Sequence, residues 1–119
     1  MWRESVKILV VEDDPLVREM AVDVLTEEGF EVIEASNGEQ ALRHCAEHAA
    51  DLLFTDIRLP GSVDGWDIAE RCRDGNPQIP VVYASGHSPV RARPVSGGVW
   101  LQKPYRPEHL VETLRSLSR

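Results

Sequence analysis

Short apolar runs alternate with stretches of helical periodicity along nearly the whole chain, and few folds accommodate that pattern. Val6 to Val11 reads as a buried strand. Pro15 then opens a helix to about Glu28, with Val17, Met20, Ala21, Val24 and Leu25 on one face and Gly29 as its stop. Phe30 to Ala35 forms a second strand, Asn37 and Gly38 turn into a helix through about His48, and Asp51 to Thr55 is a third strand. A short helix from Trp66 to Arg73 closes at Gly75, Asn76 and Pro77, and Pro80 to Ala84 and Val99 to Gln102 supply two more strands. Pro107 sits in the first turn of a last helix to about Leu117, whose Leu110, Val111, Leu114 and Leu117 face inward. Strands and helices alternating at these lengths predict an α/β fold, a parallel sheet with helices on both faces.

Composition narrows the function. The 119 residues suit one domain, 1–119, with a single modest core. A net charge of -7 without any basic run argues against nucleic acid, whose phosphates are bound by Lys and Arg. Apolar stretches of about six residues fall far short of the roughly 20 that cross a bilayer, and the amino terminus lacks the core of a signal peptide, so no membrane role and a cytoplasmic location are expected. Cys45 and Cys72 lie on separate helical patterns without CxxC spacing, which predicts buried, reduced thiols.

Chemistry gathers at the ends of three strands. The first runs into Glu12, Asp13 and Asp14, the third into Asp56, and the fifth into Lys103 and Pro104. In open α/β sheets the ligand crevice lies at the carboxyl ends of the strands, so these groups are expected to meet. Crowded carboxylates repel unless they share a hard cation, and Mg²⁺, with its preference for oxygen ligands, fits. Asp13 and Asp56 are the natural direct ligands, with Glu12 holding a metal-bound water. A carboxylate can also attack phosphorus to give an acyl phosphate while a cation and an ammonium neutralise the phosphoryl oxygens, roles open to Asp56 and Lys103. Ser85, after the fourth strand, can donate a hydrogen bond to an arriving phosphoryl group. Asp14 reads as a helix cap, and His44, His48 and His109 read as surface or half-buried residues on helices. Trp2 and Trp66 read as packing anchors.

From Lys7 to about Leu117 the chain resembles the receiver domains of bacterial two-component response regulators, with the chemotaxis receiver as prototype. The motifs are Ile8 to Asp13 with its acidic pair, Asp56-Ile57-Arg58-Leu59-Pro60 followed by Asp64-Gly65, Ala84-Ser85-Gly86, and Lys103-Pro104-Tyr105. The resemblance implies a flavodoxin-like three-layer sandwich with a five-stranded parallel sheet of order 2-1-3-4-5. It implies that Asp56 accepts phosphate from a sensor histidine kinase or histidine phosphotransfer protein, that Glu12, Asp13, Asp56 and the Arg58 carbonyl organise Mg²⁺, and that Ser85 and Lys103 contact the phosphoryl group. Trp100 falls where the family places its switch aromatic. Arg58 and His87 occupy the positions two beyond Asp56 and Ser85 at which the family tunes phosphate lifetime. The stretch between Asp56 and Asp64 is one residue longer than in the prototype because of Gly61-Ser62-Val63.

Tyr83-Ala84-Ser85-Gly86-His87 resembles a receiver subgroup with a reduced fourth helix. Pro89, Pro94, Gly97 and Gly98 agree, since an interior proline costs a helix roughly 3 kcal/mol and a glycine about 1 kcal/mol. The helix before the fifth strand is therefore expected to be short or irregular, and its surface partly mobile until phosphorylation orders it. The expected function is a phosphoacceptor switch acting on a downstream protein, and no enzyme beyond its own phosphorylation and dephosphorylation. No output segment is evident, which leaves a stand-alone regulator or a piece of a larger one, and Met1 leans to the first. A haloacid-dehalogenase-like phosphatase needs a second Asp where Arg58 stands. A flavodoxin-like cofactor binder needs a phosphate loop where this chain has carboxylates. The remaining alternative is a receiver-like scaffold that is never phosphorylated.

Overall fold

The computed structural model describes residues 5–86 and 92–118. Its elements are β1 (Lys7–Val11), α1 (Pro15–Glu27), β2 (Glu31–Ala35), α2 (Gly38–Ala46), β3 (Leu52–Asp56), α3 (Gly65–Gly75), β4 (Val81–Ser85), β5 (Val99–Gln102) and α4 (Pro107–Leu117). All strand pairs are parallel and the order is β2-β1-β3-β4-β5. The expected three-layer flavodoxin-like architecture is what the chain adopts.

The side-chain period of two sorts the central strands onto both faces. Ile8 and Val10 of β1 join Leu52 and Phe54 of β3 under α1 and α4, packing on Ala21, Leu25, Leu110 and Leu114. Leu9, Val11 and Leu53 face the other way, toward Ala41 and Cys45 of α2 and Ile68, Ala69 and Cys72 of α3. Such apolar runs survive only in strands covered on both sides, which is why β3 is buried throughout.

Local chemistry sets the helix starts. Asp14 accepts from the amides of Leu16 at 2.9 Å and Val17 at 3.4 Å, and Pro15 sits where no intrahelical N–H is needed. Asn37 accepts from the Gln40 amide at 2.9 Å. Asp64 and Asp67 cap each other reciprocally at 3.0 Å, which starts α3 at Gly65, one residue ahead of the periodicity, and the helix then runs on through Gly75.

Among the described residues no helix stands between β4 and β5, as expected. Residues 92–98 instead lie tied to their neighbours. The Tyr83 hydroxyl accepts from the Val95 amide at 3.0 Å, Arg73 of α3 donates to the Ser96 carbonyl at 2.9 Å, and Arg93 pairs with Asp67 at 2.9 Å and Glu70 at 3.2 Å. Trp2 and His87 lie outside the described residues.

One expectation is corrected. Cys45 and Cys72 are not two separate thiols but a disulfide. Their helices are neighbours on one face of the sheet and bring the Cα atoms within 4.9 Å, a proximity that a sequence separation of 27 does not reveal.

Candidate functional site

Parallel register brings the strand ends level. Val11 pairs with Thr55, Asp56 with Ala84, and Ser85 with Gln102, so the residues after β1 and β5 flank the end of β3. The Glu12 amide still bonds the Ala35 carbonyl at 3.1 Å, and the Lys103 amide bonds the Ser85 carbonyl at 2.9 Å, which holds these first loop residues in extension of the sheet. Lys103 Nζ then lies 2.6 Å from Glu12 Oε1 and 2.8 Å from Asp56 Oδ1. The Lys103-Pro104 bond is cis.

Glu12 and Asp56 are 4% and 5% exposed, whereas Asp13 faces solvent. One carboxylate oxygen from each of the three lies within 4.8 Å of the others. Burial pushes the Asp56 carboxyl up to about 8, reinforced by its bond with Glu12 and opposed by Lys103. Burial acts on Glu12 in the same direction, but its bonds to Asp56, Lys103 and the Asp14 amide prevail and hold it below the ordinary carboxylate range. Burial disfavours the Lys103 ammonium too, yet its two carboxylate partners hold its pKa above the usual lysine value. Without a cation, then, the buried pair resists carrying two negative charges, Asp56 is the member pushed toward its protonated form, and Lys103 stays charged.

Three carboxylates, two dry and one open to water, are a donor set that suits a hard divalent cation keeping part of its hydration. The site therefore fits Mg²⁺. Asp14 is absent from the cluster because its side chain caps α1, which divides two adjacent carboxylates between two tasks. Asp13→Ala is expected to weaken Mg²⁺ binding at least about tenfold, a loss of roughly 1.4 kcal/mol. Asp14→Ala should instead cost about 1 kcal/mol of stability and leave Mg²⁺ affinity nearly unchanged. Calorimetric titration and urea denaturation of both variants check this, and equal losses of affinity would refute it.

Other expected residues lie around this centre. Ser85 ends β4, half-buried, beside Lys103. Arg58 is exposed in the loop 57–64 that leaves Asp56. Trp100 is not part of the acidic cluster: 40% exposed on β5, it lies 6.4 Å from the Trp66 ring, which in turn packs at 4.7 Å, tilted, against Tyr83. Tyr105 packs edge-on against Phe54 at 5.7 Å, and burial raises its phenol pKa.

Two contributions escape the sequence, one from Arg18 and one from Gly65, which its motif names without a role. Arg18 of α1 donates to the Glu12 carbonyl at 2.8 Å and pairs with Glu34 at 3.3 Å, clamping the acidic loop from the helix side. Gly65 sets α3 directly on the end of β3: its amide bonds the Ile57 carbonyl at 2.8 Å, and a Cβ there would come 2.1 Å from the Asp56 carbonyl oxygen. Within loop 57–64, Val63 packs so closely on Gly38 at the start of α2 that a Cβ there would meet it at 2.5 Å.

Residues 8–115 match the response regulator receiver domain, and the chain belongs to that family. It is 36% identical over 117 residues to the positive alginate biosynthesis regulatory protein of Pseudomonas aeruginosa, covering 94% of this chain and 47% of that one. It thus spans about half the length of curated relatives such as this. Among solved structures, a response regulator receiver protein from Sinorhizobium medicae superposes with a TM-score of 0.90 at 32% identity, covering 96% of this chain and 94% of that one. The receiver domain of the hybrid histidine kinase CckA gives 0.83 at 33% identity, covering 95% and 99%. Receiver domains are signalling domains of two-component systems, and they bind Mg²⁺ at an acidic pocket of this kind. No described helix is long and apolar enough to cross a membrane.

Proposed function

We propose that this chain is a phosphoacceptor switch in which Asp56 takes a phosphoryl group from the phosphohistidine of a sensor histidine kinase or histidine phosphotransfer protein. One observation carries the reading: a lysine ammonium 2.8 Å from a buried strand-end aspartate whose neighbours are two more carboxylates. An Asp56 carboxylate oxygen attacks phosphorus, the bond from phosphorus to the histidine nitrogen breaks, and the imidazole leaves. Lys103 neutralises charge on the phosphoryl oxygens, and Ser85 donates a hydrogen bond to them. Glu12 and Asp13, with Asp56 and the Arg58 carbonyl, would hold Mg²⁺, which would supply positive charge to offset the carboxylates that otherwise repel a phosphate. The chain so read turns over no external substrate, works inside the cell, and signals to a downstream protein through altered protein contacts, with Trp100 as switch aromatic. It touches neither nucleic acid nor membrane.

The phosphatase reading lacks its second aspartate, because Arg58 stands there. A scaffold that is never phosphorylated leaves the Lys103 pairing with two buried carboxylates without a purpose. Acetyl phosphate with Mg²⁺ should add one acid-labile phosphoryl group, located at Asp56 by borohydride reduction and mass spectrometry. Beryllium fluoride should bind only when Mg²⁺ is present. Labelling elsewhere, or none under either condition, would sink the reading.

A further inference from the structure

We propose that Cys45 and Cys72 form a reversible thiol–disulfide pair, oxidised by a small peroxide, that ties α2 to α3 and stiffens the half of the domain holding loop 57–64. The Cα separation of 4.9 Å lies within the roughly 4.4–6.8 Å that a disulfide spans. The inference goes beyond phosphoryl transfer but rests on the proposed place inside the cell, where thiol buffers make permanent disulfides rare and those that form are transient or sensing.

The same pocket accommodates the reduced state. With the bond open, the Cys45 thiol has an acceptor at hand in the Ile68 carbonyl, 3.9 Å away. Cys45 and Cys72 are only 7% and 5% exposed, and the cleft beside them leaves about 10 Å³ for a water-sized molecule. Both sulfurs' residues line it, together with His44 and His48. A cleft of this size excludes bulky oxidants, so only a small peroxide can approach the sulfurs, and only as the surrounding side chains give way.

The chemistry balances with one peroxide. A cysteine thiolate attacks a peroxide oxygen, the O–O bond breaks, and water leaves with one proton, giving a sulfenic acid. The second thiol attacks that sulfur and displaces a second water. Two thiols are oxidised by two electrons and hydrogen peroxide is reduced to two waters. A dithiol reductant reverses the bond through a mixed disulfide.

Position explains what the bond does. α2 opens at Gly38 against Val63, and α3 opens at Gly65 against the Asp56 carbonyl, so both helix starts grip loop 57–64. Cys45 and Cys72 stand toward the other ends of the same helices. The cross-link clamps the pair there and closes a loop of 27 residues in the unfolded chain.

The main test compares one chain in two redox states, and a single variant serves only as its control. The whole protein is reduced with a dithiol, desalted, titrated with hydrogen peroxide and alkylated. Both thiols should vanish together into one intramolecular bond with the mass loss of two hydrogens, and the melting midpoint should rise by about 10 °C. Renewed reduction should reverse both changes. Cys45→Ser should abolish the peroxide-induced rise. Thiols that remain alkylatable, bonds between chains, oxidation to sulfonic acid, an unchanged midpoint, or a bond that excess dithiol cannot open in the native chain would each overturn the proposal. None of these readouts involves phosphoryl transfer, so their failure is distinct from failure of the phosphoacceptor reading.

Discussion

Asp56→Asn is expected to abolish acid-labile labelling by acetyl phosphate and, in the absence of Mg²⁺, to make the domain more stable. The first effect follows from removing the nucleophilic carboxylate, since an amide oxygen cannot form the acyl phosphate. The second follows from burial. Asp56 is 5% exposed beside Glu12, and its carboxyl is pushed up to about 8 from an ordinary value of 3.8. A group whose folded pKa is raised binds its proton more tightly in the native state, so its stabilising contribution is complete below pH 3.8 and is lost as pH climbs through about 8. Asparagine does not titrate and escapes that loss. At pH 8 the metal-free variant should therefore exceed the parent by about 2–4 kcal/mol, or on the order of 10 °C in melting midpoint. Mg²⁺ should narrow the gap, because a ligand at a hundred times its Kd adds about 2.7 kcal/mol and the parent retains the fuller carboxylate set. Melting curves from pH 4 to 8 with and without Mg²⁺ check this. Parallel pH profiles for the two proteins would contradict the assigned origin of the raised pKa.

The strands and helices were legible because each carries a local rule. Apolar runs in β1 and β3, the heptad-like face of α1 and the prolines at the starts of α1 and α4 need no tertiary information. Even the meeting of Glu12 with Lys103, 91 positions apart, follows from sheet topology, since parallel strands deliver their carboxyl ends to one edge. What stayed hidden depends on contacts across elements. The Cys45–Cys72 pairing requires knowing how two helices lie side by side. Arg18 looks like any solvated helix arginine until the Glu12 carbonyl is seen 2.8 Å away. The tie between Tyr83 and the Val95 amide joins a strand to an irregular segment that has no period of its own to read.

Gly65 belongs to the same hidden class, and its substitution should show how closely the fold serves the site. Asp64-Gly65 stands in the receiver motif without a role for the glycine, yet a Cβ at Gly65 would lie 2.1 Å from the Asp56 carbonyl oxygen, 2.8 Å from Ile57 Cα and 2.9 Å from the Asp56 carbonyl carbon. All three neighbours are backbone, so no flexible side chain can swing away. Either α3 lifts off β3 or the end of β3 bends, and both break the 2.8 Å bond from the Gly65 amide to the Ile57 carbonyl. Gly65→Ala should accordingly cost about 2–4 kcal/mol, in the upper range for single substitutions. Because the displaced atoms belong to Asp56 and its successor, Mg²⁺ affinity should fall as well, at least about tenfold. Gly86→Ala is the control: among the described residues nothing lies within 4 Å of its Cβ, and its stability should stay within about 0.5 kcal/mol of the parent. Urea denaturation and Mg²⁺ titration of the two alanine variants separate the possibilities. If Gly65→Ala proved as mild as Gly86→Ala, the close approach of α3 to β3 would not be what holds Asp56 in place.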